Sequence, residues 1–314
     1  MSNIKDVAVI GTGVIGAGWI IRCLAHNKKV FAYDKDLKLK KKLIAEIKRT
    51  WPYVKKLFNK KNKNIKNLIF KTSLKDAVKE VDFIQECAPE NEKLKIKIIK
   101  EIGLYAKSES IISSSSSGLL PSKIQKKCRN PERVIIGHPF NPVYLLPLVE
   151  IVPGRKTSKN IINRTSTFYQ KLSMIPLTLK KEIPGYLSDR LQEALWREAL
   201  HIINDGFATT DDLDKAIIHG PGIRWSIMGT FLTFHLAGGQ NGMKHMLKQF
   251  GPALKLPWTK LKAPKLSKKL SQKIIKGTKD QSKGKSISEI ANIRDNYLIN
   301  LLKLRKKYEK KIVK

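Results

Sequence analysis

The sequence predicts an α/β N-terminal domain followed by an all-α C-terminal domain, and three observations carry that division. From Asp6 to Leu179, short β-branched apolar runs alternate with amphipathic stretches, the pattern of a parallel sheet with helical crossovers. From Glu182 onward the alternation ends and long helical periodicities replace it. Lys181 and Pro184 mark the change, so the expected domains are residues 1–182 and 183–314.

Strands are expected at 7–10, 30–33, 68–71, 82–86, 110–114, 134–136, 148–152 and 175–179, with helices between them. In the second half, helical spacing covers 185–205, 210–219, parts of 231–251 and 287 to the end. The last of these places Ile290, Ile293, Tyr297, Leu301 and Leu304 in one stripe, which reads as core or subunit interface. Acidic residues Glu289, Asp295 and Glu309 interrupt its basic face and argue against a membrane-surface helix.

Bulk properties exclude several classes. A chain of 314 residues with 41% hydrophobic content can bury two cores, which rules out a disordered or fibrous protein. The nearly uncharged stretch from Val7 stops at Arg22 and contains four glycines, too short and too broken to span a bilayer. Asp6 adjoining it disfavours a signal peptide. Cys23, Cys87 and Cys128 form an odd, widely spaced set with no Cys-x-x-Cys, which fits a reducing cytoplasm and no metal.

The net charge of +36 would suit a nucleic-acid-binding protein, but its composition would not. Of the 62 basic residues 51 are lysine, whereas base and phosphate recognition leans on the planar arginine fork. The lysines thicken at 38–48, 55–66, 260–285 and 303–314, on segments that read as exposed helix faces or linkers. A solvated basic surface with no specific nucleic-acid site is expected, adhering non-specifically to polyanions at low salt.

The first expected strand runs into Gly11-Thr12-Gly13-Val14-Ile15-Gly16 and a helix follows at once. In a Gly-x-Gly-x-x-Gly turn of this kind the first glycine permits the tight bend, and the second lets a pyrophosphate approach the backbone. The third brings the helix close to the sheet, and the helix N-terminus offers free N–H groups to phosphate. Asp34 ends the second expected strand, 18 residues beyond Gly16, where its carboxylate would accept hydrogen bonds from an adenosine ribose and repel a 2′-phosphate. Strand, glycine turn, helix and acid together point to a Rossmann-type domain that binds NAD rather than NADP.

A second cluster is Gly137-His138-Pro139-Phe140-Asn141-Pro142, followed by the apolar run Leu148-Val149-Glu150-Ile151-Val152. A glutamate inside an apolar strand is costly unless paired, and a histidine ending the preceding strand is its natural partner. Such a carboxylate would fix the imidazole tautomer and leave the other ring nitrogen to take a proton from a substrate hydroxyl. Composition alone reads Ser113 to Ser117 as a flexible polar loop.

Gly11 to Gly16, Glu90-Asn91, the serine run, His138 to Asn141 and Glu150 resemble the 3-hydroxyacyl-CoA dehydrogenase superfamily over nearly the whole chain. The resemblance implies a Rossmann domain plus a helical C-terminal domain that forms a homodimer interface. It implies His138 and Glu150 as the catalytic pair, Ser117 on the substrate oxygen, Asn141 beside the histidine, and Glu90 and Lys95 on the nicotinamide side.

The C-terminal half resembles the branch of that superfamily that oxidises carnitine. The stretches are 205–210, Gly220-Pro221-Gly222-Ile223-Arg224-Trp225, 228–233, 235–239, 250–255 and 257–261. Asp189 stands where the acyl-CoA enzymes carry asparagine, and Gly229-Thr230 replaces their Gly-Pro. The implied substrate is L-carnitine. The alternatives are a 3-hydroxyacyl-CoA ester, L-gulonate, or a nucleic-acid-binding or crystallin-like role on the same fold. A trimethylammonium group has no N–H to donate and is held by aromatic faces. Candidates are Phe140, Tyr144, Trp196, Trp225, Phe231 and Phe234, with Asp189 and Glu193 adding negative charge and Arg224 meeting the carnitine carboxylate.

Overall fold

An eight-stranded sheet organises the N-terminal half, in the order β3-β2-β1-β4-β5-β6-β7-β8. Its strands are β1 (Asp6–Ile10), β2 (Lys29–Tyr33), β3 (Leu68–Phe70), β4 (Phe83–Glu86), β5 (Ile111–Ser114), β6 (Val134–Pro139), β7 (Leu148–Pro153) and β8 (Ile175–Thr178). The computed structural model describes residues 4–59, 65–226, 229–252, 258–259, 267–270 and 283–312, with 272, 276 and 280. They form two compact units, Met1–Asp189 and Arg190–Lys314.

β1, β4, β5 and β6 are buried almost throughout, as strands covered on both faces must be. On one face α3 (Leu74–Val78) and α4 (Glu92–Tyr105) seal Ala8, Ile84 and Ile112 beneath Val78, Ile99 and Ile102. On the other lie α1 (Val14–Ala25), α2 (Leu39–Phe58) and α6 (Lys159–Lys171), α5 being the short Pro121–Ile124. There Trp19 stacks on Tyr169 at 5.2 Å and Phe83 on Phe168 at 4.1 Å. Side-chain oxygens of Ser73, Asn91 and Ser158 cap α3, α4 and α6 by accepting the otherwise unpaired N–H groups of the first turn.

Arg22 on α1 is fully buried. Its guanidinium donates to the carbonyls of Val143, Leu146, Leu172 and Ser173. Burial pulls it down to about 9, Cys23 opposing slightly.

The expectation of a wholly parallel sheet needs one correction. β7 runs antiparallel to β6, while every other neighbouring pair is parallel. Only residues 140–147 join the two strands, too few for a helical crossover, so the chain turns back as a hairpin. The strand order reverses at β1, with β2 on one side and β4 on the other. Such a switch point opens a crevice at the carboxyl ends of the strands.

Among the described residues the helical half holds α7 (Ser188–Asp205), which begins in the first unit, then α8 (Thr210–His219), α9 (Pro221–Trp225), α10 (Thr230–Ala237), α11 (Gly242–Phe250) and α12 (Ile287–Ile312). Thr209 and Asp212 close a reciprocal capping box at the start of α8. The expected helical run over 231–251 is broken at Gly238, where a Cβ would collide with the Gly242 carbonyl. On α12, Ile293, Tyr297 and Leu304 are exposed in the single chain, and among the residues whose surroundings are described Asp295 and Ile299 are buried. Ile290 of that stripe, and most of the stretches 250–255 and 257–261, lie outside the residues whose surroundings are described. No helix among the described residues is long and apolar enough to cross a membrane.

Candidate active site

At the crevice, Gly11 takes φ +94°, and a Cβ there would strike the Cys87 carbonyl, so the turn requires glycine. A Cβ at Gly16 would collide with the Gly11 carbonyl, which sets how closely α1 begins against the strand end. Gly13 faces open space, and α1 starts with no side-chain cap and no acid in its first turn. Its free N–H groups and positive helix end thus face the cleft, a donor set suited to a pyrophosphate. The cleft has a volume of about 1160 Å³ and is lined by Gly11, Gly13, Val14, Asp34, Glu90 and Ser117 among others.

Asp34 does more than border this cleft. Its Oδ2 accepts from the Thr12 N–H at 2.6 Å and the Thr12 hydroxyl at 3.1 Å, and its Oδ1 from the Asp36 N–H at 3.0 Å. The carboxylate therefore ties the glycine turn to the end of β2. Ile15 is half-buried behind the exposed Val14.

Across the cleft, Glu90 Oε1 accepts from the Ser116 hydroxyl at 2.5 Å and from the N–H groups of Ser117 at 3.1 Å and Gly118 at 3.3 Å. Lys95 is not at the surface. Its ammonium is 1% exposed and donates to both oxygens of the buried Glu86, at 2.9 and 3.0 Å, and to the Ala88 carbonyl at 2.9 Å. Glu90 Oε2 lies 3.6 Å from it. Glu86 also receives the Ser114 hydroxyl at 2.5 Å and the Ala88 N–H at 2.6 Å. Sequence reasoning missed Glu86, although an acid ending a short strand that begins Phe83-Ile84 carries a weaker form of the signal that singled out Glu150.

The serine run is not a loose loop. Ser113 and Ser114 belong to β5 and are buried, and the Ser113 hydroxyl pairs with Tyr169 at 2.8 Å. Tyr169 donates to Gln85 Oε1 at 2.7 Å, and Gln85 Nε2 to Ser115 at 2.8 Å. Ser117 is exposed at the cleft, which the half-buried Ser115 also lines.

His138 and Glu150 are directly opposed in the β6–β7 register. His138 Nδ1 lies 2.9 Å from Glu150 Oε2, with the side chains 6% and 0% exposed. A Cβ on the preceding Gly137 would overlap Tyr169 and Ser113, which is why a glycine leads into the histidine. Glu150 Oε1 accepts from the N–H groups of Leu187 and Ser188 at 3.0 Å each, and from the Ser188 hydroxyl at 3.2 Å, at the start of α7. Burial pushes the Glu150 carboxyl upward, but the hydrogen bonds from His138, Ser188 and Leu187 outweigh it and hold the group below its ordinary value. An ionised carboxylate only accepts, so Nδ1 carries the proton and Nε2 is the basic nitrogen. Nε2 in turn faces Asp189 Oδ2 at 3.6 Å.

Two rings frame the imidazole: Phe140 edge-on at 5.2 Å, as the sequence suggested, and Tyr186 at 5.5 Å, which it did not. Tyr186 is buried and donates to the Leu119 carbonyl at 2.8 Å. Asn141 is exposed at the turn after Phe140, before a cis peptide to Pro142. Tyr144 is buried, its hydroxyl accepting from Arg49 on α2 at 3.1 Å. Trp196, Arg224, Trp225, Phe231 and Phe234 belong to the second unit and all are exposed, Phe231 to 84%.

Residues 6–183 match the NAD binding domain of 3-hydroxyacyl-CoA dehydrogenase, and residues 185–280 match its C-terminal domain. The chain belongs to the 3-hydroxyacyl-CoA dehydrogenase family and is an NAD-dependent dehydrogenase acting on a CH–OH group. It is 51% identical to an L-carnitine dehydrogenase of Oceanobacillus iheyensis over 97% of this chain and 99% of that protein. An L-carnitine dehydrogenase of Bacillus cereus is 50% identical over 98% and 94% of the two chains. Among solved structures, 5-formyl-3-hydroxy-2-methylpyridine 4-carboxylic acid 5-dehydrogenase shares the fold with a TM-score of 0.79, at 21% identity and 98% and 99% coverage.

Proposed function

We propose that the chain oxidises the 3-hydroxyl of L-carnitine to the ketone of 3-dehydrocarnitine, with His138 as general base and Glu150 as its orienting carboxylate. The observation that carries the catalytic assignment is the 2.9 Å pairing of His138 Nδ1 with Glu150, which leaves Nε2 to take the hydroxyl proton. Bound NAD supplies the hydride acceptor for the hydrogen on C3. As the proton leaves the hydroxyl, the C–O bond becomes double, and Glu150 stabilises the resulting imidazolium. The Ser117 hydroxyl and Asn141 steady the substrate oxygen from the cleft rim and the strand turn. Gly13 and the α1 N-terminus hold the pyrophosphate, Asp34 the ribose. Glu90 lines the nicotinamide side, and Lys95 acts from beneath as a positioning residue through Glu86 and Glu90.

The choice of carnitine is supported by near-full-length likeness to enzymes of that name. The trimethylammonium group is held by aromatic faces, of which Phe140 stands beside the histidine. Two copies pair through the helical unit, where Leu191, Phe207, Phe231 and Tyr297 are exposed in the single chain. Following NADH formation with L-carnitine, 3-hydroxybutyryl-CoA and L-gulonate side by side tests the reading. Turnover should be confined largely to carnitine, and activity restricted to the CoA ester would overturn it.

A further inference from the structure

We infer that Asp189 selects alcohols bearing a cationic nitrogen on the carbon next to the carbinol carbon, by placing a carboxylate where such a cation must lie. The inference rests on the general-base assignment and carnitine reading above. His138 is already oriented through Nδ1 by Glu150, yet its other nitrogen, the one that must reach the substrate hydroxyl, faces Asp189 Oδ2 at 3.6 Å. Asp189 stands in the first turn of α7, with its side chain 29% exposed against 6% for His138. The carboxylate therefore flanks the space at Nε2 rather than the core.

A carboxylate there opposes the chemistry of a neutral substrate. The hydroxyl oxygen gains negative charge as its proton moves to Nε2, and a neighbouring anion raises the cost of that charge. A cation on the adjacent carbon removes the conflict. In an O–C–C–N unit with staggered bonds, nitrogen and oxygen lie about 3 to 4 Å apart. A substrate whose oxygen touches Nε2 thus brings its ammonium group within contact distance of Asp189. Quaternary nitrogen has no N–H to donate, so charge and proximity carry the recognition. On a chain of net charge +36 the attraction must be local, as this one is.

The test compares L-carnitine with 3-hydroxy-5,5-dimethylhexanoate, the isostere in which carbon replaces the cationic nitrogen, in wild type and Asp189→Asn, reading kcat/KM from NADH formation. Wild type should favour carnitine strongly. Asp189→Asn should lower kcat/KM for carnitine by about tenfold or more, mainly through KM, while leaving or raising that of the isostere. Asp189→Glu should retain a preference for the cation. An equal fall on both substrates would overturn the inference, because Asp189 would then act through His138 alone, and so would an unchanged ratio. Should Asp189→Asn fail to fold, the wild-type comparison decides: equal kcat/KM on the two substrates sinks the inference. Wild type that oxidises the isostere but not carnitine removes the carnitine reading and the inference with it. Wild type that oxidises carnitine and the isostere equally well removes the inference alone.

Discussion

Glu150 meets His138 across an antiparallel strand pair, Oε2 to Nδ1 at 2.9 Å, while its other oxygen takes two N–H groups from the start of α7. One carboxylate thereby fixes the imidazole and anchors the helix that carries Asp189.

Replacing His138 with alanine should lower turnover by about two to four orders of magnitude, the usual scale for removing a general base. NAD binding, followed by fluorescence titration, should persist, because the cleft lining is separate from the histidine. Near-normal turnover by a folded variant would refute the assignment.

Glu150 gives a pH dependence of stability with a definite sign. Its folded-state carboxyl lies below the ordinary value of 4.5, so it binds protons less readily than in the unfolded chain. Its contribution is complete above that value and is lost as pH falls through the lower, folded one. Thermal melts of wild type should therefore drop on the acid side of about 4.5, and Glu150→Gln should lack that part of the slope. Parallel acid profiles for the two proteins would contradict this.

NAD should be strongly preferred to NADP, since Asp34 would face a 2′-phosphate with like charge. Asp34→Ala should weaken NAD binding and also lower Tm, because the same carboxylate holds the Thr12 N–H at 2.6 Å. Comparable catalytic efficiency with both cofactors would count against Asp34 as the discriminator.

Lys95→Met leaves the Glu86 carboxylate buried without its cation and should cost about 3–5 kcal/mol in urea unfolding. Adding Glu86→Gln should recover part of the loss. A double variant no more stable than Lys95→Met would show that the two groups do not act as a pair.

Trp225→Ala or Phe231→Ala should raise the KM for carnitine with a smaller change in kcat, as expected of groups that bind the cation without touching the reacting bond. Both rings are exposed in the single chain, so little stability is at stake. Unchanged KM in both variants would remove them from the substrate site.

Strand positions, the glycine turn and the acid after β2 were all readable from residue order, because burial on both faces demands continuous apolar runs and Gly11 needs a left-handed backbone. His138 and Glu150 were readable too, since an acid in an apolar strand needs a partner within reach. Residue patterns report which side chains are buried, but not against what. The pairing direction of β6 and β7 was therefore misread, and with it the reason that the two residues meet. The resemblance assigned Lys95 to the nicotinamide side, but nothing in residue order placed Glu86, nine positions earlier, beneath its ammonium. On α12 two faces carry apolar spacing, and packing of the folded chain buried Asp295 and Ile299 and left Tyr297 exposed. Local sequence set the elements and most of the chemical groups. Pairing direction, the burial of Lys95 and the approach of Asp189 to Nε2 depended on contacts between distant segments, which local periodicity does not encode.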